Sequence, residues 1–233
     1  MIESVNNEKI IKYSKLKTKK YRDETSLFIV EGKHLVEEAK KYDLVIDEYI
    51  LDENVTLPVM KKLSNLDNPN THLAICKKKE EKPISGNILI VDGVQDPGNM
   101  GTIIRTCVAF NIDTIVVSNN TVDIYNDKVI RASEGMLFSI NIIKRDLVSF
   151  IKELKYNIYT TDVKGGSSIY NYNFMEPYAI VVGNEGNGVS SEVSELINNK
   201  LYIPMSSKCE SLNVGVATSI ILYESERMNN NAN

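Results

Sequence analysis

The sequence predicts an α/β protein in two parts, a small α/β module followed by a larger parallel sheet with helices on both faces. Three observations carry this expectation. After residue 87, apolar runs of four or five residues recur between stretches of helical periodicity, and strands alternating with helices build a parallel sheet. Residues 77–83, followed by Ser85-Gly86-Asn87, are charged, contain Pro and Gly, and interrupt the apolar pattern as an interdomain linker does. The composition, 42% hydrophobic and 25% charged over 233 residues, is that of a globular protein with room for one large or two modest cores.

Taken in order, the first part reads as a helix over 8–20, a strand at 27–30, a helix over 33–42, a strand near 45–51, a helix over 58–66 and a strand at 72–76. The second part reads as strands at 88–91, 114–117, 138–143, 157–160, 178–182 and 201–203. Helices at 100–110, 127–132, 147–155, 191–198 and 213–227 alternate with them. The expected division is 1–82, a linker at 83–87, and 88–233. Only the Asn-rich tail at 229–233 is low in complexity and reads as disordered.

Several function classes drop out. The longest apolar runs, such as 88–91 and 178–182, fall far short of the roughly 20 residues a membrane-spanning helix needs. Residues 1–12 carry mixed charge and no apolar core, so no secretory signal is read there and the expected location is the cytoplasm. Cys76, Cys107 and Cys209 lie far apart, and His34 and His72 are the only histidines, which argues against a disulfide framework and a metal site. With no G-x-S-x-G elbow, a Ser-His-Asp hydrolase is also hard to build.

The formal charge of −4 is unevenly spread: residues 1–82 hold 16 basic and 15 acidic residues, and residues 83–233 hold 11 and 16. A polyanionic partner must therefore be held locally. The only dense basic run is Lys9, Lys12, Lys15, Lys17, Lys19, Lys20 and Arg22, with no acidic residue inside it. Alone it reads equally as a solvated helix face.

Three loops concentrate the polar chemistry: 92–101, 183–188 and 204–213. Each follows an expected strand and opens an expected helix, where ligands of parallel sheets bind. Their glycines allow close backbone approach, and helix N-termini supply free N–H donors. The second loop, with Gly183, Gly186 and Gly188, is G-x-x-G-x-G and not the dinucleotide fingerprint, and no loop ends in the Gly-Lys-Ser/Thr of a P-loop. On the helix after the first loop, Ile103, Ile104, Cys107, Val108 and Phe110 share an apolar stripe, leaving Arg105 with Thr102, Thr106 and Ala109 on the polar face. One turn inside a helix that opens on a glycine-rich loop, Arg105 could meet an anion brought to that loop.

Together these stretches resemble a known family. Asp96-Pro97-Gly98-Asn99-Met100-Gly101 with Arg105, then Gly183-Asn184-Glu185-Gly186-Asn187-Gly188, then Ile203-Pro204-Met205 through Ser211-Leu212-Asn213-Val214, are similar in order and spacing to the three motifs of the SpoU (TrmH-like) ribose 2′-O-methyltransferases of the SPOUT class. The likeness covers residues 88–226. The stretch from Phe28 through Glu31-Gly32-Lys33 also resembles the ribosomal-protein-like RNA-binding domain of the ribosomal RNA branch. Cys107, Asn111 and Gly215 depart from the family's more common residues, Gly215 standing where a small hydroxyl residue is common, but none removes a polar group the reaction needs.

The resemblance implies a C-terminal SPOUT domain with a deep trefoil knot, which topology rules would not lead one to expect. It implies S-adenosylmethionine (SAM) as cofactor, a homodimer whose subunits complete each site, no metal, and methylation of a ribose 2′-hydroxyl in RNA, with ribosomal RNA the expected substrate. By resemblance Arg105 is the central catalytic group, with Asn99, Glu185, Ser211 and Asn213 lining the reaction centre. The implied cofactor residues are Gly183, Asn184, Glu185, Gly186, Ile203, Pro204, Met205, Ser211, Leu212, Asn213 and Val214. The RNA is expected on Lys15, Lys17, Lys19, Lys20 and Arg22. Transfer RNA as substrate, a catalytically silent RNA-binding or ribosome-assembly protein, and a nucleotide-dependent oxidoreductase remain the alternatives.

Overall fold

The structure, a computed structural model, describes residues 1–162 and 165–231, with side chains described up to 228. The chain forms two compact units, Met1–Glu80 with Asp123–Ser139, and Glu81–Val122 with Ile140–Asn233. In chain order, the first unit contains α1 (Glu8–Ser14), α2 (Lys19–Thr25), β1 (Leu27–Glu31), α3 (Lys33–Lys40), β2 (Val45–Ile50), α4 (Leu57–Leu63) and β3 (His72–Lys77). The second opens with β4 (Ile88–Val91), α5 (Pro97–Ala109) and β5 (Thr114–Val117). The chain then re-enters the first unit for α6 (Asp127–Ala132). It returns for β6 (Asn141–Lys144), α7 (Leu147–Glu153), β7 (Asn157–Thr161), β8 (Ser167–Ser168), β9 (Tyr178–Val182), α8 (Ser191–Ser194), β10 (Asn199–Tyr202) and α9 (Val214–Asn231).

In the first unit, β1, β3 and β2 form an antiparallel sheet in that order. Ile10, Tyr13, Leu16, Ile29, Met60, Leu63, Leu73 and Ile75 make one core between the sheet and the helices α1 and α4. The single helix expected over 8–20 is broken. Asn7 caps α1 by accepting from the N–H groups of Lys9 and Ile10, Lys15–Lys17 tighten into a 3-10 turn, and Thr18 is extended at φ −101°. The break has a physical cause in Arg22, whose Nη1 donates to the carbonyls of Leu16 (2.9 Å) and Lys17 (3.0 Å), so these groups need no helical partner.

Phe28, on the sheet face opposite Ile29, is fully buried against Tyr125 and Phe138, with ring centroids 4.7 and 6.1 Å away. The Arg22 guanidinium also donates to one oxygen of Asp123, from Nη2 at 2.7 Å and Nε at 3.0 Å. The segment Asp123–Ser139, which the sequence reading assigned to the second part, thus completes the core of the first unit. Its last apolar residues explain a second difference. Met136–Phe138 form a 3-10 turn that buries Phe138, and the strand expected from 138 starts at Asn141.

The second unit is built on a seven-stranded parallel sheet in the order β6-β5-β4-β9-β7-β10-β8. Every residue of β4, β5 and β9 is buried, as expected for strands covered on both faces. Ile88, Ile90, Val116, Ala179 and Val181 pack with Leu147 and Ile151 of α7, Val193 of α8 and Ile197 just after it. The remaining long helices, α5 and α9, pack on each other, with the Thr106 and Ser219 hydroxyls 2.9 Å apart. The strand order is compatible with the knot that the resemblance implies. Helix α9 extends past 227 to Asn231, through part of the tail expected to be disordered, while 232 and 233 lie outside the described residues. Among the described residues, no helix is long and apolar enough to cross a membrane.

Candidate active site

The loops that follow β4, β9 and β10 all leave the C-terminal edge of the parallel sheet. Buried Asp92, just after β4, accepts from the backbone N–H of Ser190 (2.9 Å), which holds the end of the second loop against the start of the first. Asp96 caps α5 by accepting from Asn99 N (2.8 Å), with Pro97 at the first helical position, where its missing N–H costs nothing.

In the second loop the backbones of Asn184 and Gly188 exchange hydrogen bonds of 2.8 and 2.9 Å. A Cβ on Gly183 would lie 2.0 Å from the Gly188 carbonyl carbon, so only glycine fits there. The Asn184 side chain accepts from Gly186 N (2.9 Å) and Asn187 N (3.2 Å) and donates to Gly93 O (2.8 Å). That donor ties the second loop to the first.

Glu185 makes the densest junction. One carboxylate oxygen accepts from Asp96 N (3.0 Å) and Asn99 Nδ2 (3.1 Å), and the other accepts from Gln95 N (3.2 Å) and Asn184 Nδ2 (3.3 Å). Partial burial pushes its pKa up, but the hydrogen bonds from Asn99 and from the backbone of Glu185, Asp96 and Gln95 outweigh that and hold the carboxyl below its ordinary range. It is therefore an ionised acceptor at neutral pH.

From there a chain of amides of one polarity crosses to the third loop. Asn213 Oδ1 accepts from Gly215 N (2.9 Å) and Val216 N (3.2 Å), capping α9, so its amide nitrogen must face outward, where it donates to Asn99 Oδ1 (2.8 Å). The Asn99 nitrogen then faces Glu185. Neither amide can flip without setting like groups against each other. The structure thus brings together Asn99, Glu185 and Asn213, one residue from each of the three sequence motifs.

Arg105 stands apart from this network. It is exposed and has no hydrogen-bond or ion-pair partner among the described residues. The polar face assigned to it is not wholly solvated, however. Thr106 is buried on α9, and a Cβ on Gly215 would meet Thr102 at 3.1 Å. Gly215 lets the first turn of α9 approach α5 there. In the third loop Ile203 and Leu212 are half-buried, while Pro204, Met205 and Ser211 are exposed, and Cys209 Sγ donates to Ser211 O (3.2 Å).

Sequence reasoning missed the parts played by Asp92, by the backbone of Gln95 and Asp96, and by the turn after β5. There Ser118 Oγ accepts from Gly93 N (2.9 Å) and Gln95 donates to Asn120 O. The available signal was the turn-prone Ser118-Asn119-Asn120-Thr121 directly after a buried strand.

In the first unit the expected RNA residues divide. Lys15, Lys17, Lys19 and Lys20 are exposed. Arg22 is not available to a ligand: it is 6% exposed, and its guanidinium is committed to Asp123, Leu16 and Lys17.

Residues 86–223 match the model of the SpoU rRNA Methylase family, and residues 7–57 match that of the MRM3-like substrate binding domain. The chain is 35% identical over 241 residues to the 23S rRNA (guanosine(2553)-2′-O)-methyltransferase RlmP of Bacillus subtilis (strain 168), covering 95% of this chain and 97% of that one. The rRNA methyltransferase of Sinorhizobium meliloti superposes with a TM-score of 0.88 at 26% identity, over 97% of this chain and 96% of that one. Its AdoMet-bound form gives a TM-score of 0.86 at 26% identity, over 97% of each chain. With more than half of its length matched by the family model and a near full-length relative at this identity, the chain belongs to the SpoU rRNA methylase family.

Proposed function

We propose that the chain transfers a methyl group from SAM to a ribose 2′-hydroxyl of ribosomal RNA, working in the cytoplasm as a homodimer. The observation that carries the reading is the hydrogen-bonded series Glu185–Asn99–Asn213, which ties together one residue from each of the three motifs, the first of which opens the helix that carries the exposed Arg105. The B. subtilis relative, named for a 2′-O-methylation of 23S rRNA, and the substrate-binding match at 7–57 support ribosomal RNA as the substrate.

The loops suit the cofactor. Ile203, Leu212 and Met205 offer apolar surface at the C-terminal edge of the sheet without being fully buried, which fits an adenine. Around it, Gly183, Asn184, Glu185, Gly186, Pro204, Ser211, Asn213 and Val214 would hold the ribose and methionine parts. When bound, SAM supplies an electrophilic methyl group on a sulfonium sulfur.

The chain's own residues must hold the 2′-oxygen about 3 Å from that carbon and ease the loss of its proton. A guanidinium is protonated at any working pH, so Arg105 is not a base. It holds the neighbouring phosphate and stabilises the negative charge that grows on the 2′-oxygen, whose proton passes to solvent while the sulfonium sulfur departs as a neutral thioether. Asn99, Ser211 and Asn213 orient the ribose. Glu185, occupied by four donors, acts as the brace that keeps Asn99 in place. Helix α9 presents Val216, Ile220 and Tyr223 at 46, 38 and 57% exposure, and this apolar face is the proposed contact with a second copy.

Purified Arg105→Ala protein, assayed with tritiated SAM and ribosomal RNA, should lose at least about 10²-fold in rate. Its SAM affinity should stay within a few fold, because the loops and not this side chain hold the cofactor. Retention of a tenth of the wild-type rate would remove Arg105 from the central role.

A further inference from the structure

The lysines of the first unit differ in whether a carboxylate neutralises them. Lys9 pairs with Asp47 (2.6 Å), Lys19 with Asp23, Lys20 with Glu24 (3.9 Å), Lys40 with Glu37 and Glu48 (each 3.0 Å), Lys41 with Glu38 (2.6 Å) and Lys78 with Asp23 (2.7 Å). Among the described residues Lys12, Lys33, Lys77 and Lys128 form no ion pair, and neither do the four exposed lysines Lys15, Lys17, Lys61 and Lys62, which the fold gathers over one part of the core. Exposed ammoniums left without a carboxylate are the ones able to neutralise a foreign anion.

These four come from segments about 45 residues apart, and the core beneath them brings them together. Leu16, only 2% exposed, packs in one apolar cluster with Met60 and Leu63. The lysines flanking Leu16 and those between Met60 and Leu63 therefore emerge over the same core. Their charges sense each other. Lys17 is held below the ordinary lysine range, first by desolvation and also by repulsion from Lys62, against an opposing pull from Glu31. The Lys15 ammonium lies 5.2 Å from the centre of the Tyr21 ring.

Glu31 explains how the cluster is held. Its carboxylate is 6% exposed and accepts from Ser64 Oγ (2.6 Å) and Asn65 N (2.7 Å), the two residues that follow α4. The buried acid thereby anchors the end of the helix that carries Lys61 and Lys62, while its charge partly offsets that of Lys17.

We infer that Lys15, Lys17, Lys61 and Lys62 form one phosphate-binding surface for the backbone of the RNA substrate. This rests on the methyltransferase reading above and narrows it. The surface excludes buried Arg22, gives Lys19 and Lys20 a lesser part, and adds two lysines that lie outside the substrate-binding match at 7–57. A sugar-phosphate backbone fits four exposed point charges, because it demands positive charge and not a shaped pocket.

The test uses the full-length protein and in vitro transcribed 23S rRNA as probe, with binding measured over a range of salt concentrations. For Lys61→Gln/Lys62→Gln, the log–log salt slope should flatten by about 1.4 and affinity near 0.15 M salt should fall about tenfold. SAM affinity by calorimetry and the thermal midpoint should not change. Lys19→Gln/Lys20→Gln should produce less than half of either RNA effect. Wild-type affinity and slope in the Lys61/Lys62 variant, or equal losses in the two variants, would overturn the surface while leaving methyl transfer by the wild type intact. Loss confined to the Lys61/Lys62 variant, in a protein that transfers no methyl group, would support the surface and overturn the methyltransferase reading.

Discussion

Glu185 shows how much one carboxylate can organise when most of its donors come from another segment. Four hydrogen bonds converge on it, three of them from Gln95, Asp96 and Asn99 in the first loop. Because these bonds favour the ionised form, its pKa is depressed in the folded state, and the stability it contributes is present above the ordinary carboxylate range. That contribution is lost as the pH falls through the folded-state pKa. Urea unfolding of wild type and Glu185→Gln should therefore show a gap at pH 7 that closes as the pH drops below about 4. A gap that stays constant down to pH 3 would mean the charge plays no part. At this scale the motif residues were legible from the sequence, since Asn99, Glu185 and Asn213 stand in recognisable strings. Arg22 was not. Its neighbours place it in a basic run, whereas the partner that buries it, Asp123, is 101 residues away.

Elements were legible where one periodicity governs, and less so where a side chain from elsewhere intervenes. Strands β4, β5 and β9 fall where continuous apolar runs predict them, because burial on both faces leaves a strong signal. The break between α1 and α2 has no comparable signal, since it depends on Arg22 reaching back to two carbonyls. Helix α5 mixes both cases: its apolar stripe was evident, but the seat that Thr102 and Thr106 offer to α9 was not. On α9 the proposed dimer contact makes a prediction of its own. Ile220→Lys puts a charge in the middle of the exposed apolar face and should turn a dimer at micromolar concentration into a monomer in light scattering, with loss of methyl transfer. A fully active monomer, wild type or variant, would rule out a site shared between subunits.

For the whole molecule, composition and the charged segment at 77–83 pointed to two parts, but no feature of the sequence shows that the chain returns to the first after β5. The return is held by Phe28 between Tyr125 and Phe138 and by the Arg22–Asp123 pair, whose side chains are 7 and 12% exposed. Asp123→Ala leaves a buried guanidinium short of its partner and should lower the unfolding free energy by about 3 to 5 kcal/mol in urea titrations. A loss below 1 kcal/mol would show that the pair is incidental. The same arrangement bears on how the protein is made. A nascent chain that has just passed residue 80 carries Phe28 with nothing to cover it. At ordinary elongation rates, the ribosome needs about 3 to 12 seconds more to deliver Phe138. Over that interval an aromatic face is open to chaperones and to other nascent chains, and a gene fragment ending at residue 82 would make the exposure permanent. The N-terminal unit is first in the message, yet it cannot be the first to finish folding.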